Sequence, residues 1–153
     1  MTKYAAGYSV AGVNAANTVL ANLKAAAGDR ILLLQINIQI ETAPANPPIF
    51  SLERMNAVGT GGITLAPNGP FDPSDGAATG TLEVAWVTTR PTRLATPVNL
   101  IRSMLPITLG SQLIFDFSNR PIVIPLSGGL LLTNLNASGA TLGQFGGNFV
   151  WDE

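Results

Sequence analysis

Residues 30–41, RILLLQINIQIE, constrain this chain more than any other stretch. From Leu34 onward, Leu34, Ile36, Ile38 and Ile40 alternate with Gln35, Asn37, Gln39 and Glu41. Successive side chains of a strand point to opposite faces, so the pattern writes one apolar face and one polar face. At helical spacing the same isoleucines would scatter around the cylinder. Isoleucine is branched at Cβ and stiff at χ1, which suits a pleated surface. Residues 31–34 are apolar throughout and predict cover on both sides. The segment is expected to be the central core strand, with the rest of the chain laid beside it or over it.

Residues 18–26 read as a strand through Val19, Leu20 and Leu23, although the surrounding alanines also favour helix. Gly28-Asp29 then signals a turn, so this strand and the next predict a hairpin. Further strands are expected at residues 49–55, 63–66, 81–89, 98–105, 113–117, 122–124, 130–135 and 141–151. In residues 49–55 the charged pair Glu53 and Arg54 is expected near the surface end. Trp86 falls on the apolar face of its strand and predicts core packing, and Trp86→Ala a matching loss of stability. Gly146-Gly147 inside the last strand predicts a bulge or kink. Residues 67–80, PNGPFDPSDGAATG, form a long turn-rich segment expected to be a contact loop.

About eight to ten short strands separated by turn signals predict an all-β, antiparallel β-sandwich or barrel. One domain is expected over residues 18–153. Residues 1–17, rich in Ala, Gly and Asn, show weak core periodicity and read as an N-terminal arm or edge segment. Their removal is therefore expected to weaken assembly more than domain stability.

Composition narrows the chemistry. The chain has 153 residues with a net charge of −1, and its charged residues, only 11%, are scattered singly. With no basic run, sequence-independent binding of nucleic acid is not expected. There is no histidine and no cysteine. Ser-His-Asp and Cys-His catalysis, disulfides and His- or Cys-ligated zinc cannot be built. Lys3 and Lys24 stand outside any S-x-x-K pattern. Glu41, Glu53, Glu83 and Asp116 lie on expected strands, and nothing in the sequence converges two of them as a glycosidase needs. The run Asp72-Pro73-Ser74-Asp75-Gly76 is turn chemistry rather than a calcium loop. The glycine pairs lack a phosphate-loop pattern. No enzyme activity, cofactor or metal is expected. The N-terminus shows no signal-peptide pattern, and residues 31–34 are far too short to span a bilayer, so no membrane is expected.

Candidates for contact remain. Arg54, Arg90 and Arg93 fall with Arg102 at strands or strand ends, and arginine's fork pairs well with carboxylates and carbonyls at interfaces. Tyr4 and Tyr8 stand isolated in the N-terminal segment, and Trp151 near the C-terminus is a plug or an interface anchor. These six, Tyr4, Tyr8, Arg54, Arg90, Arg93 and Trp151, are the expected interface residues.

Three segments carry a family resemblance. SLERMNAVGTGGITLAP is similar to the strand, arginine and Thr-Gly-Gly turn of small tailed-bacteriophage virion proteins. PFDPSDGAATGTLEVAWVTTRPT resembles their next block, an Asp-Pro turn, an Ala-Thr lead-in, a strand and Pro-Thr. NFVWDE resembles their closing F-x-W-x-E, filled here by Phe149, Trp151 and Glu153, after a Pro-Gly turn like PIVIPLSGGLLL. The likeness runs over residues 49–153. It implies a jelly-roll-like sandwich that decorates and cements a phage head, commonly as a homotrimer bound to the major capsid protein, hence on the outer surface of the virion. The residues alone leave open a carbohydrate-binding sandwich of a fibre or adhesin, which would need an exposed aromatic beside Asn or Asp.

Overall fold

The structure is a computed structural model and describes residues 2–65, 70–96 and 98–153. Expectations that fall on residues 66–69 and 97 lie outside the described residues. The strands are β1 (Lys3–Ala11), β2 (Thr18–Lys24), β3 (Ile31–Thr42), β4 (Ile49–Ala57), β5 (Ile63–Leu65), β6 (Thr81–Val84), β7 (Thr92–Arg93), β8 (Asn99–Met104), β9 (Gln112–Asp116), β10 (Ile122–Ile124), β11 (Gly129–Asn134) and β12 (Gln144–Asp152). They form two antiparallel sheets packed face to face, a β-sandwich. The five-stranded sheet runs β1-β12-β3, with β9 and β10 both on the far side of β3. The seven-stranded sheet runs β5-β6-β2-β11-β4, with β7 and β8 both on the far side of β4.

β3 holds the centre of its sheet, as its alternation requires. Ile36, Ile38 and Ile40 are buried, and Gln35, Asn37 and Gln39 sit half-buried on the outer face. Opposite them, Leu52, Phe50, Leu130 and Leu132 complete the core. Burying each such side chain contributes roughly 1.5–3 kcal/mol. Phe50 and Phe145 meet edge to face across the layers, ring centroids 5.3 Å apart.

Several expectations change. β2 and β3 are not a hairpin: β2 pairs with β6 and β11 in one layer, β3 with β9, β10 and β12 in the other. The turn at Gly28-Asp29 carries the chain between layers. β2 is buried almost throughout, so it needs neighbours on both edges and cover on both faces, which only the middle of the other sheet supplies. The N-terminal segment is integral. β1 is an edge strand paired with β12 along its whole length, and Tyr4, Ala6, Tyr8 and Val10 enter the core. Small residues at the alternate positions hid that periodicity. Deleting residues 1–17 would strip Tyr4, Ala6, Tyr8 and Val10 from the core, which corrects the expectation that assembly would weaken more than domain stability.

The expected strand at residues 81–89 stops at Val84, because Ala85 turns to a positive φ of 50°. Trp86 is buried, but in a satellite cluster with Val19 and Leu131 on the outer face of the seven-stranded sheet. Trp86→Ala is expected to lower stability by about 3 kcal/mol, read from the thermal melt. An unchanged melting temperature would contradict this packing. In β12 the register shifts lie near its two ends, at Gln144/Phe145 and Val150/Trp151, not at the glycine pair. Gly147, with φ 151°, is needed for space: a Cβ there would run into the Asn37 carbonyl.

Candidate interaction surface

The six expected interface residues are all engaged within the chain. Tyr4, Tyr8 and Trp151 are core residues, 4%, 5% and 0% exposed. Tyr4 stacks on Trp151 at 6.0 Å, and its hydroxyl donates to the Gly76 carbonyl at 2.9 Å. Burial, with Glu41 adding, pushes the Tyr8 phenol well up, and the hydroxyl donates to the Asn37 carbonyl at 3.2 Å. Trp151 donates its indole N–H to Glu153 Oε1 at 2.8 Å. Glu153 also accepts from the Thr79 N–H and hydroxyl and from the Gly80 N–H. Burial alone would raise that carboxyl, but these donors hold it below the usual range. The ending Trp-Asp-Glu thus fastens the turn-rich segment, rather than offering an anchor to a partner. The described part of that segment is strapped along β1, through Pro70 against Tyr4 and the Phe71 N–H donating to the Lys3 carbonyl.

The arginines act as internal ties. Arg90 Nη1 donates to the Val19 carbonyl at 2.9 Å. Arg54 donates to the Val123 carbonyl, joining β4 of one layer to β10 of the other. Arg93 makes a two-pronged ion pair with Glu53, Nη2 to Oε1 at 2.8 Å and Nε to Oε2. The Glu53 side chain is only 1% exposed. This corrects the expected surface pair of Glu53 and Arg54: neighbours in a strand face opposite ways, so Glu53 points to the outer face, where Arg93 covers it.

A surface that the sequence reading passed over lies on the side of the sandwich bounded by β8 and β9. β8 pairs only with β4, and β9 only with β3. Among the described residues, the outer backbone edge of each has no strand beside it. Their inward side chains Ile101, Leu113 and Phe115, with Phe117, pack on the core yet remain half exposed. Ile101 and Phe115 line one small gap between the layers together with Ile36, Ile38, Phe50 and Leu52, which places β8 and β9 on the same open side. Their other face carries apolar side chains too, interleaved with Arg102, Gln112 and Asp116. Met104 is 64% exposed, Ile114 49% and Leu100 36%, and the connection between the strands exposes Ile107 and Leu109. At the other end of this side, Arg54 and Val123 bridge the layers. Among the described residues, no such tie is found along β8 and β9.

Charge on this surface is sparse. Between residues 98 and 118 the charged residues are Arg102 on β8 and Asp116 on β9. Asp116 accepts from the Ser118 hydroxyl at 2.5 Å and the Ser118 N–H at 2.8 Å, which hold its carboxyl below the usual range. The signal was in the sequence: residues 100–117, LIRSMLPITLGSQLIFDF, put apolar residues on both faces of their strands, whereas a free edge strand is ordinarily blunted with charge or proline.

Other concavities lie elsewhere among the described residues, one of about 280 Å³ beside Asp29, Arg30 and Glu153. An open trough of about 630 Å³ on the outer face of the five-stranded sheet is lined by Tyr8, Ser9, Asn37, Gln39, Glu41 and Asn148 among others. Its Ser9 hydroxyl donates to Glu41 at 2.5 Å and accepts from Gln144. A smaller pocket of about 250 Å³ lies between the end of β1 and Trp86 with Arg90. Comparison with known protein families, with curated proteins and with solved structures finds no match to this chain.

Proposed function

We propose that this protein is structural and works by contact: a head decoration or cement protein of a tailed bacteriophage. It would bind the major capsid protein on the outer surface of the virion as a homotrimer. The observation that carries the reading is the open side at β8 and β9. Half-exposed core residues and exposed Leu100, Met104 and Ile114 lie there along two unpaired strand edges. Such edges are completed by main-chain pairing with another chain, and apolar patches of this kind mark interaction surfaces. The resemblance of residues 49–153 to small virion proteins, with the jelly-roll-like connectivity it implies, supplies the particle. A cement stabilises by mass action, binding the assembled shell and not its separated parts.

Co-sedimentation tests this. The purified protein is expected to pellet with phage heads lacking it and to raise their melting temperature. A protein that stays in the supernatant, with heads melting unchanged, would contradict the reading.

One observation favours carbohydrate binding. Phe71 is exposed on the turn that carries Asp72 and Asp75, the aromatic-beside-carboxylate arrangement a sugar platform needs. A glycan-array signal abolished by Phe71→Ala would support that second reading.

A further inference from the structure

We infer that the open side is closed by a second copy of this chain, with β9 of one copy laid against β8 of the next and Asp116 facing the neighbour's Arg102. The inference rests on the contact reading above, but not on the identity of the particle.

Three features select a second copy, and this pairing. First, each copy carries both halves of the contact. β8 and β9 are short strands, each bonded on one edge only, and neither contains proline or lysine to discourage pairing. Second, the charges are complementary in one combination alone. β8 carries Arg102 and β9 carries Asp116, with no other charge on either strand. Laying β8 on β8, or β9 on β9, would bring like charges together, which disfavours both. Laying β9 on β8 sets opposite charges across the contact. Arg102 forms no ion pair among the described residues, and Asp116 is held ionised by Ser118.

Third, the faces match. Ile114 and Asp116 point outward on β9, as do Arg102 and Met104 on β8, while Phe115 and Ile101 point inward. In an antiparallel ladder with Asp116 opposite the neighbour's Arg102, Ile114 falls opposite Met104 on the outward face. Phe117 falls opposite Ile101 on the inward face. Phe115 falls opposite the inward Ser103, so apolar meets apolar on the outward face and at Phe117 on the inward one, charge meets countercharge, and the half-exposed core residues are covered. The contact joins different strands, so repeated from copy to copy it builds a ring where the rotation closes.

The absence of cysteine gives a clean test. Asp116→Cys and Arg102→Cys are prepared as separate proteins, mixed and mildly oxidised. Residues directly opposite in an antiparallel ladder lie within disulfide reach. The mixture is expected to give a covalent dimer in clear excess over either variant alone. Charge reversal is the second measurement. Asp116→Arg and Arg102→Asp are each expected to weaken association by roughly tenfold, measured by sedimentation, and the double reversal to restore it. Both positions are exposed, so unchanged melting of the monomer shows that folding is intact.

A wild-type chain that sediments as a monomer at every attainable concentration would overturn the inference. So would dimer formation in the mixture no greater than in the single variants. A monomer that still pellets with phage heads would overturn this contact and the homotrimer with it, and leave the binding to heads standing. An assembling protein that ignores the heads would do the reverse.

Discussion

Trp151→Ala is expected to lower stability by about 3–5 kcal/mol, which for a domain of this size lowers the melting temperature by roughly 10 °C. Trp151 is the largest fully buried side chain in the molecule. Its loss leaves a cavity that neighbouring strands cannot collapse into, because it stands in β12 between β1 and β3, both of which are fixed by long ladders. Two further contacts go with it: the stack on Tyr4, and the indole N–H bond to Glu153. The turn-rich segment that Glu153 fastens is therefore expected to become protease-sensitive in the same variant. Trp151→Phe, which keeps most of the volume, should lose about half as much. A Trp151→Ala protein that melts with the wild type would show that the Trp lies outside the core.

Arg93→Ala is expected to cost about 3–5 kcal/mol by a different mechanism. Glu53 is buried, and among the described residues Arg93 supplies both of its side-chain hydrogen bonds. Removing the arginine leaves an uncompensated buried carboxylate, and breaking a buried pair from one side costs this much. Replacing both partners with apolar residues of similar volume, Glu53→Met with Arg93→Leu, should be close to neutral. A double-mutant cycle read by denaturant unfolding checks this. Equal, additive losses from the two single changes would contradict it.

Much of the fold was legible because its strands obey one-residue alternation. Residues 30–41 predicted a central strand, and residues 49–55, 122–124 and 130–135 fell within two residues of β4, β10 and β11. What failed was pairing. Gly28-Asp29 looks like a hairpin turn, but local turn chemistry cannot say whether the next strand returns beside its predecessor or crosses to the other layer. β1 was hard to read as core because Ala5, Gly7, Ser9 and Ala11, small rather than charged, fill the alternate face and Ala6 interrupts the large residues Tyr4, Tyr8 and Val10 on the buried one. The surface was the least legible part. Tyr4, Tyr8 and Trp151 drew attention as aromatics near the termini, and the two termini in fact pair with each other as β1 and β12. The open side rests on Leu100, Met104 and Ile114; their exposed apolar pattern is in the sequence, but only the strand order shows that no strand among the described residues lies beyond them.

Hydrogen exchange along β8 and β9 tests the central claim most directly. In a dilute, unassembled chain their outer-edge amides should exchange freely while those of β3 and β12 stay protected. On raising the concentration, or on adding phage heads, the β8 and β9 amides are expected to become protected. If they exchange at the same rate under all conditions, the open side is not where this protein meets another chain.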